Sequence, residues 1–593
     1  MIVILKIYMT NVIGYKYKLI YIRLYFFTQK MVILGLNFYF HDSTACLVID
    51  GKLVVAIEEE RLNRDKHTRN FPQKAIERCL SIAKLEYNDI DHIAISIRPT
   101  FNLSRKLFYF SKHLNIFKSF INHEFVHGYS KRKDFWNWFK YHWINKKSGP
   151  KVHLIPHHLC HAPGSFLVSP YNEAALLGID GSGEWATSWL GYGKVNKIEC
   201  FNQSFFPHSL GSFYETVTQF CGFRTSYDEG KTMGLAPMGD STIFKDEVEK
   251  IIKVDKNGGI RIDLSYFNFQ NMHWKRFSPK FIKIFGEPRK TGEDFKKHHM
   301  DVAAAFQKVL EDKVLEICNI LYEKTKADYL VISGGVSLNS VMNGRIVRES
   351  NFKDVYVMPA AGDNGTAIGA AFYLYNGIFN KPRVYRHLNP YVGTSYTNND
   401  IEIALKRAKL TYKYYEDICE KTASLLEEGK ILGWFQGPME IGSRALGSRS
   451  ILANPAFPEM KDKINAEVKF REAYRPFAPS VILEAKNEFF DLQVEDPFML
   501  KVCNVLKEKQ KIIPAVTHVD GSARLQTVTR ELHPRYYDVI KKLGHKTGIP
   551  VVLNTSFNIQ GEPIVESPVD AIKCFYSNGL DALVMGNYVL IKN

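Results

Sequence analysis

Two histidines four residues apart lie where the chain could hold a metal ion. His157 and His161 follow Pro156, a residue favoured at the start of a helix because its missing N–H would be unpaired there. At a spacing of four the two imidazoles share one helical face, and neutral imidazoles presented in this way suit a transition metal such as zinc or iron. Ordinary packing of the two side chains on the surface or in the core is the alternative.

Acidic residues elsewhere in the chain favour the metal interpretation. The apolar run AALLGI predicts a buried strand that delivers Asp180 into a Gly-Ser-Gly turn. A carboxylate at the end of a buried strand, beside a glycine-rich turn, is a common way to hold a metal or phosphate. Asp363 follows the predicted strand VYVMPA and precedes a helix of small residues, although capping of that helix explains the same position.

The overall composition is that of a globular protein and excludes several classes. The chain has 593 residues, 45% of them hydrophobic and 24% charged, which implies roughly two to four domains. Nine scattered cysteines without a CxxC pair argue for a reducing compartment, so we expect a cytoplasmic protein without a disulfide framework or zinc knuckle. No apolar run approaches the roughly 20 residues needed to cross a bilayer.

The net charge of +16 is concentrated in two segments. Residues 1–30 carry five Lys/Arg and no acid, and residues 101–149 carry ten Lys/Arg against two acids. The rest of the chain is nearly balanced. Basic charge confined in this way is weak evidence for nucleic acid, which we do not expect as a partner.

The two basic segments call for different interpretations. Residues 1–30 lack the apolar core and cleavage site of a secretory signal, and we expect an extension outside the fold, with Met31 as the real start. An amphipathic membrane anchor is the alternative. In residues 101–149, aromatic side chains at helical spacing predict an amphipathic helix packed on the body. A lid over an anionic substrate or a membrane-facing surface is the alternative there.

A strand–turn–strand unit occurs twice. From Val32, VILGLN predicts a strand, FYFHDS a turn and TACLVI a second strand, and Asp-Gly before KLVVAIEEER signals a hairpin. The stretch from Leu176 to Glu199 repeats this plan about 140 residues later. Two such units whose polar turns face one another make a natural nucleotide clamp, because their backbone N–H groups are directed at phosphates.

Further stretches combine glycine with polar side chains. YDEGKTMGLAPMG carries Lys231 and is typical of a functional loop, although a surface turn is the alternative. Gly334 and Gly335 end the predicted strand YLVIS, where a ligand could approach the backbone closely.

Arginine is concentrated in the second half, after a polar connection at residues 376–412. Planar guanidinium groups bind phosphate or carboxylate oxygens two at a time, so a converging set favours a polyanion. The basic residues of this half that stand beside glycines, prolines or apolar strands are Arg444, Arg449, Lys469, Arg471, Arg475 and Arg524.

Taken together, these motifs resemble those of the O-carbamoyltransferases of nodulation-factor and antibiotic biosynthesis, the NodU/CmcH type. The matching stretches run in the family's order from about Met31 to Asn593. They are FHDSTACLV, EEERLNRDKH, PHHLCHA, IDGSGEW, EGKTMGLAP, SGGVSLN, GDNGTAIGAA, GSRALGSRSIL, KFREAYRPFAPS and LNTSFNIQGEPIV.

The resemblance implies an α/β fold with two domains. Residues 31–375 would form a duplicated actin-like ATPase domain, similar to the proteins that put threonylcarbamoyl on tRNA, with the insert 101–149 added to it. Residues 376–412 would connect it to an α+β, YrdC-like domain at residues 413–593.

The reaction implied by the resemblance has two steps. The second domain would use carbamoyl phosphate and ATP, with Mg²⁺, to make carbamoyl-adenylate and pyrophosphate. The first would pass the carbamoyl group to an acceptor hydroxyl at a ferrous or similar metal site. The acceptor, a sugar or natural product, is not legible from the sequence because fold and family do not define it; neither is the oligomeric state.

The resemblance also assigns residues to this reaction. The metal ligands are matched by His157, His161, Asp180 and Asp363. The catalytic residues implied are His41, which is a candidate general base, Asp180 and Lys231. The nucleotide, phosphate and carbamoyl phosphate positions are matched by Lys66, Gly334, Gly335, Asn339, Arg444, Arg449, Lys469, Arg471, Arg475, Arg524 and Asn554.

One motif departs from the family, and two other functions compete. The loop GPMEIGSRALG stands where the family has GRMEFGPRALG, which leaves the details of the phosphate contacts in doubt. An actin-like kinase or ATPase would release ADP instead of pyrophosphate. A nucleotide-regulated binding protein would need neither the histidine pair nor the arginine-dense second domain.

Overall fold

A computed structural model describes residues 30–99, 101–112, 128–144, 149–271 and 274–592. Residues 1–29, and parts of the insert 101–149, lie outside this range, and so does the prediction that residues 1–30 are an extension. Within the described residues, no helix is long and apolar enough to span a bilayer.

The first domain contains two five-stranded sheets of the same design and a separate antiparallel pair, β9 and β10. The order is β3-β2-β1-β4-β5 in the first sheet and β12-β11-β6-β7-β8 in the second. In each sheet the leading strand, β1 or β6, pairs antiparallel with the next strand and parallel with a later one. The strands are β1 Val32–Asn37, β2 Thr44–Ile49, β3 Lys52–Glu58, β4 His92–Ile95, β5 Lys151–Leu154, β6 Glu173–Gly183, β7 Ala186–Lys194, β8 Lys197–Phe205, β9 Ile252–Val254, β10 Ile260–Ile262, β11 Tyr329–Ser333 and β12 Asp354–Val357.

This repetition confirms the predicted duplication and is what a resemblance to actin-like ATPases implies. The hairpin between β2 and β3 turns at Asp50 and Gly51, with φ of 50° and 77°, as expected of an Asp-Gly pair. The predicted turn directly after Asp180 is wrong. Strand β6 continues with an irregular register to Gly183, and the chain reverses at Glu184 and Trp185, with φ of 43° and 92°.

Helices cover the sheets, and several site residues lie on these helices or in the loops next to them. They are α1 Glu59–Asn63, α2 Gln73–Ala83, α3 Leu103–Ser111, α4 Gly128–Trp143, α5 His157–Val168, α6 Leu210–Phe220, α7 Glu229–Leu235, α8 Lys245–Ile251, α9 Pro279–Phe285, α10 Lys297–Thr325, α11 Ser340–Glu349, α12 Thr366–Phe372, α13 Asn398–Arg407, α14 Ile418–Glu427, α15 Met460–Lys463, α16 Lys486–Phe489, α17 Pro534–Thr547 and α18 Pro568–Tyr576.

The two halves of the first domain meet where α5 crosses α12. These helices occupy equivalent places, since α5 follows the last strand of the first sheet and α12 the last strand of the second. A Cβ on Gly164 would stand 2.5 Å from the Cα of Gly369, and a Cβ on Gly369 would stand 1.8 Å from the Cys160 carbonyl oxygen. Only glycine allows this approach, which brings the N-terminal ends of both helices to one place.

The described part of the insert packs on the body, as predicted. Phe135, Trp138 and Trp143 of α4 are buried in one cluster with Phe38 and other residues of the first sheet. This agrees with the amphipathic helix predicted for residues 101–149.

The second domain is built on one nine-stranded mixed sheet of order β13-β21-β20-β14-β15-β19-β16-β18-β17. Its core includes Ile401 and Leu405 of α13, so part of the predicted connection 376–412 packs with this domain. Its similarity to YrdC-like proteins stays a prediction. The strands are β13 Lys413–Tyr414, β14 Leu432–Phe435, β15 Arg449–Ala453, β16 Ala478–Ile482, β17 Lys501–Asn504, β18 Ser522–Val528, β19 Val551–Ser556, β20 Ala582–Met585 and β21 Tyr588–Ile591.

Candidate active site

Four side chains predicted as metal ligands converge at the junction of the two halves. His157, His161, Asp180 and Asp363 are all buried, and one ligand atom of each lies within 4.8 Å of the others. The Nε2 atoms of the histidines are 2.9 Å apart. His157 Nε2 lies 3.3 Å from Asp180 Oδ2 and 3.4 Å from Asp363 Oδ1.

The duplicated fold explains this convergence. The histidines lie in the first two turns of α5, Asp180 lies on β6 at the start of the second sheet, and Asp363 directly precedes α12. The alternative interpretation of Asp363 as a helix cap is not seen, because its carboxylate faces the histidines and no side chain caps α12. The crossing of α5 and α12 therefore assembles ligands from both halves.

The charges of this cluster are balanced in a way that fits a divalent cation. Burial alone would lower the pKa of His157, but Asp363 and Asp180 raise it well above its ordinary value. Conversely, burial favours protonation of Asp180, but the two histidines hold the pKa of that carboxyl well below its usual range. The two Nε2 atoms, 2.9 Å apart, cannot both carry a proton, so the imidazoles alone do not neutralise both carboxylates. One divalent ion would neutralise the two carboxylates and accept the lone pairs of both neutral imidazoles. The mixed imidazole and carboxylate donors suit iron, zinc or a similar metal.

Two glycines hold these ligands in place. A Cβ on Gly183 would stand 2.1 Å from Cδ2 of His157, so the bare backbone of β6 supports the imidazole ring. The N–H of Gly335 donates to Asp180 Oδ1 at 3.0 Å. Gly335 was predicted at a nucleotide or phosphate position, and the structure places its N–H on a candidate metal ligand.

Glu184 is a site residue that the sequence reasoning missed. Its Oε2 accepts from the backbone N–H of His157 at 2.7 Å, and its Oε1 accepts from the N–H of Arg98. Burial raises the pKa of Glu184 to about 7. A carboxylate at a helix N-terminus interacts favourably with the helix dipole, and here it positions the first turn of α5. The available signal was the acid that ends IDGSGE.

His41 lies beside the four converging residues, as expected of a group near the acceptor. Its Nε2 is 3.9 Å from Asp363 Oδ2, and its Nδ1 is 2.9 Å from Asp42 Oδ2. Burial would lower the pKa of this imidazole, but Asp363 and Asp42 raise it to about 10. The ring is partly exposed, so it can meet a substrate.

Four arginines of the second domain, Arg444, Arg471, Arg475 and Arg524, form a cluster of like charge, which we call the arginine cluster. Burial and Arg475 lower the pKa of Arg444 to about 10 and that of Arg471 to about 9. Burial together with the other three lowers the pKa of Arg524 well below its ordinary value. These shifts arise because the guanidinium groups are close to one another.

Few acids offset the arginine cluster. Glu472 lies 3.9 Å from Arg475, and Asp496 is mainly engaged by backbone N–H groups, including those of Leu500 and Lys501. The Nε atoms of Arg444 and Arg524 are buried and have no hydrogen-bond partner among the described residues. Guanidinium groups left with free donors and excess charge are suited to a polyanionic ligand.

Two members of the arginine cluster, Arg444 and Arg524, lie where the second domain meets the first. Arg444 Nη2 donates to the carbonyl oxygen of Leu338 at 3.4 Å, three residues after Gly335, which contacts the candidate metal centre. Arg524 lines a cleft with Tyr474 of its own domain and with Met233 and Ser340 of the first.

Three other predicted ligand residues are engaged by groups of the protein itself. Arg449 is fully buried, and its guanidinium donates to the carbonyl oxygens of Gln436, Gly437, Ser448 and Thr394, while its Nε has no hydrogen-bond partner among the described residues. That Arg449 binds phosphate stays a prediction. Lys469 is buried and bonds Ser556 and Asn558.

Asn554 also supports the site from within the core. Its Nδ2 donates to the carbonyl oxygen of Ala445 at 3.1 Å and to Gln526 at 3.0 Å, and Gln526 donates to the carbonyl oxygen of Leu446. This buried network holds the loop that carries Arg444.

Lys66 and Lys231 of the first domain lie near residues 472–475 of the second. Lys231 Nζ is 3.2 Å from Asp228 and 3.8 Å from Glu472 of the second domain. Desolvation lowers the pKa of Lys66, and Arg475 is among the cations that act in the same direction. Both lysines thus lie near the second domain, as expected of groups that contact a ligand shared by the domains.

Gly334 and Asn339 have local roles. Gly334 has φ of 92°, and a Cβ there would stand 2.2 Å from the Ile179 carbonyl oxygen. Asn339 caps α11 by accepting from the N–H of Met342 and bonds Gln307. They shape the turn beside Asp180.

Arg61 forms a buried ion pair within the first domain and also bonds the second domain. Arg61 bonds Glu58, lies 3.1 Å from Glu60 and donates to the carbonyl oxygen of Gly442 at 3.0 Å. Glu58 also accepts from Asn364 at 2.6 Å, the residue after Asp363. This chain of contacts connects the candidate metal centre with the loop of Arg444.

The chain thus combines a duplicated α/β domain that carries a buried histidine–aspartate cluster with a second domain that carries the arginine cluster. Residues 32–372 match the family model Carbamoyltransferase N-terminus, and residues 423–592 match Carbamoyltransferase C-terminus. The chain therefore belongs to the carbamoyltransferase family.

Individual relatives agree with this assignment. An uncharacterized protein of Synechocystis sp. is 37% identical, covering 94% of this chain and 96% of that one. Nodulation protein NolNO of Sinorhizobium fredii is 36% identical over 94% of this chain and 80% of its own length. A 3′-hydroxymethylcephem-O-carbamoyltransferase of Amycolatopsis lactamdurans is 33% identical over 45% of this chain and 49% of its own.

Proposed function

We propose that this protein uses carbamoyl phosphate and ATP to form carbamoyl-adenylate in its second domain and transfers the carbamoyl group to a hydroxyl of a sugar-like or natural-product acceptor in its first. The observation that carries the proposal is the arginine cluster at the interdomain cleft. Carbamoyl phosphate and the ATP triphosphate are both polyanions, and bringing them together requires several fixed cations.

The first step has a defined balance of atoms. Carbamoyl phosphate contributes only its carbamoyl group and ATP only its AMP group. Water cleaves the carbamoyl phosphate, phosphate leaves, and an oxygen of the resulting carbamate bonds to the α-phosphorus of ATP as pyrophosphate leaves with Mg²⁺. The guanidinium groups of Arg444, Arg471, Arg475 and Arg524 hold the phosphate oxygens of both reactants and stabilise the charge that develops on them.

The second step takes place at the histidine–aspartate centre. His157, His161, Asp180 and Asp363 would hold a ferrous ion or another divalent transition metal, which when bound supplies a Lewis acid for a carbonyl oxygen. A divalent ion on Asp363 would offset the carboxylate charge that raises the pKa of His41, which leaves the imidazole free to take the proton of the acceptor hydroxyl. The hydroxyl oxygen bonds to the carbamoyl carbon, and AMP leaves with the electron pair of the broken C–O bond.

The position of the cleft supports a transfer without release. The adenylate is a reactive anhydride that water would destroy, so an enclosed route protects it. Lys66 and Lys231 lie near the arginine cluster, where they could neutralise the phosphate of the adenylate.

The test is an incubation with ¹⁴C-labelled carbamoyl phosphate, ATP and a panel of aminoglycosides, oligosaccharides and lipid-linked sugars. We expect labelled acceptor together with stoichiometric AMP and pyrophosphate. Release of ADP in place of AMP would overturn the adenylate route and indicate a kinase or ATPase. Label in no acceptor, with no pyrophosphate formed from carbamoyl phosphate and ATP, would overturn the proposed function.

A further inference from the structure

The side chain of Asp42 is shared by two histidines beside the active site. Its Oδ2 lies 2.9 Å from Nδ1 of His41, and its Oδ1 lies 2.7 Å from Nδ1 of His67. An ionised carboxylate only accepts hydrogen bonds, so both Nδ1 atoms carry the proton. Nε2 of His41 is then the ring nitrogen left to exchange a proton, and it faces the candidate metal centre with 3.9 Å to Asp363 Oδ2.

The backbone around Asp42 is held firmly. Asp42 has φ of 54°, a left-handed conformation that Asp and Asn tolerate better than most residues. Asn37 Nδ2 donates to the carbonyl oxygens of His41 at 2.9 Å and of Asp42 at 3.0 Å. Ser43 N–H donates to the carbonyl oxygen of Thr68 at 3.2 Å. The turn after β1 is thus tied both to its own strand and to the segment after α1.

His67 is positioned by independent contacts. Its backbone N–H donates to Glu60 Oε2 at 2.7 Å, and its ring meets the ring of Tyr227 edge-on with 4.6 Å between centroids. Its hydrogen bond therefore restrains the rotation of the Asp42 carboxylate from the side opposite His41.

We propose that Asp42 is a positioning residue that holds His41 in the tautomer and orientation needed to accept the proton of the acceptor hydroxyl, and that His67 supports Asp42 in this role. The inference rests on the proposed function, in which His41 is the general base. The hydroxyl proton passes to Nε2 of His41, while its Nδ1 proton stays on the hydrogen bond to Asp42. Asp42 thus acts through His41. A group that bonds the other ring nitrogen of a catalytic histidine commonly acts in this way.

The test uses Asp42→Asn in the full chain, with Asp50→Asn as the matched control. Both positions are left-handed, with φ of 54° and 50°, but Asp50 lies in the β2–β3 hairpin, where its Oδ1 accepts from the N–H of Met31 at 2.9 Å. With preformed carbamoyl-adenylate and the best sugar acceptor of the labelled panel, we expect kcat of Asp42→Asn to fall about 100- to 1,000-fold. KM for the acceptor stays within about twofold, because binding contacts are unchanged.

A double-mutant cycle separates positioning from a structural role. In a His41→Ala background, adding Asp42→Asn should change kcat by less than about twofold, because the group that Asp42 orients is gone. Equal losses from Asp42→Asn with and without His41 would overturn the proposal. His67→Phe, which keeps a ring against Tyr227 but has no donor for Asp42 Oδ1, serves as a second variant if Asp42→Asn fails to fold, and we expect about a tenfold loss of kcat. Wild-type kcat in His67→Phe and Asp42→Asn alike would also overturn it.

Failure of the proposed function gives a different result. Pyrophosphate formation from carbamoyl phosphate and ATP depends on the second domain and should be the same in all of these variants and the wild type. If His41→Ala alone retains wild-type kcat, His41 is not the general base, and both the mechanism and this inference fall. If His41→Ala abolishes transfer while Asp42→Asn does not lower kcat, only the inference falls.

Discussion

Replacing Arg524 by methionine should strongly slow adenylate formation without destabilising the protein. Methionine keeps much of the volume of the side chain and removes its charge. The guanidinium of Arg524 has a buried Nε without a hydrogen-bond partner among the described residues. Burial and three neighbouring arginines hold its pKa well below the ordinary value. Because the folded protein lowers the pKa of this base, the protonated form destabilises the folded state at every pH where it is present.

The lowered pKa of Arg524 determines the direction of the expected change in stability. Without ligand, Arg524→Met leaves the free energy of unfolding unchanged or raises it by on the order of 1 kcal/mol, since the partly exposed side chain is screened by solvent. With the reactants bound, the variant loses roughly 2–4 kcal/mol of transition-state stabilisation, about 30- to 1,000-fold in the rate of pyrophosphate formation. Arg524→Lys recovers only part of this loss, because lysine cannot make a paired contact.

Arg449→Met is the contrasting variant in the same domain. Its guanidinium donates to four carbonyl oxygens, so its removal leaves buried acceptors without partners. We expect the free energy of unfolding to fall by roughly 3–5 kcal/mol. Pyrophosphate release and thermal unfolding are measured on both variants, the first to test the effect on activity and the second the effect on stability. Wild-type pyrophosphate formation by Arg524→Met, or wild-type stability of Arg449→Met, would refute the reasoning.

Three further predictions concern the first domain and its junction with the second. His157→Ala should lose bound iron or zinc, measured by elemental analysis, and carbamoyl transfer, while pyrophosphate formation persists; full metal occupancy would contradict the assignment. Gly183→Ala should also lose metal, because its Cβ would stand 2.1 Å from the His157 ring, whereas Gly181→Ala, whose Cβ meets nothing within 4 Å, should keep it. Arg61→Met leaves the buried carboxylate of Glu58 unpaired and should lower the free energy of unfolding by roughly 3–5 kcal/mol, measured by chemical denaturation; an unchanged stability would show that the pair contributes little.

The local features of the first domain could be read from short stretches of sequence. Asp50 and Gly51 predict a hairpin because few residue pairs tolerate two positive φ angles in succession. The spacing of His157 and His161 predicts one helical face, and the structure places both imidazoles there. The end of strand β6 could not be predicted from the sequence. Gly-Ser-Gly after Asp180 is compatible with a turn as well as with an irregular strand that ends just before Glu184.

The sequence by itself determined the duplicated strand pattern, the helical spacing of the histidines and the concentration of arginine in the second half, because each depends on residues near one another in the chain. Only the tertiary structure decided which of these side chains meet. Asp363 reaches the histidines, rather than capping α12, because α5 and α12 cross at Gly164 and Gly369. Arg524 joins the arginine cluster whereas Arg449 bonds the backbone of its own domain, a difference that depends on how strands far apart in sequence pair and on which donors they leave free.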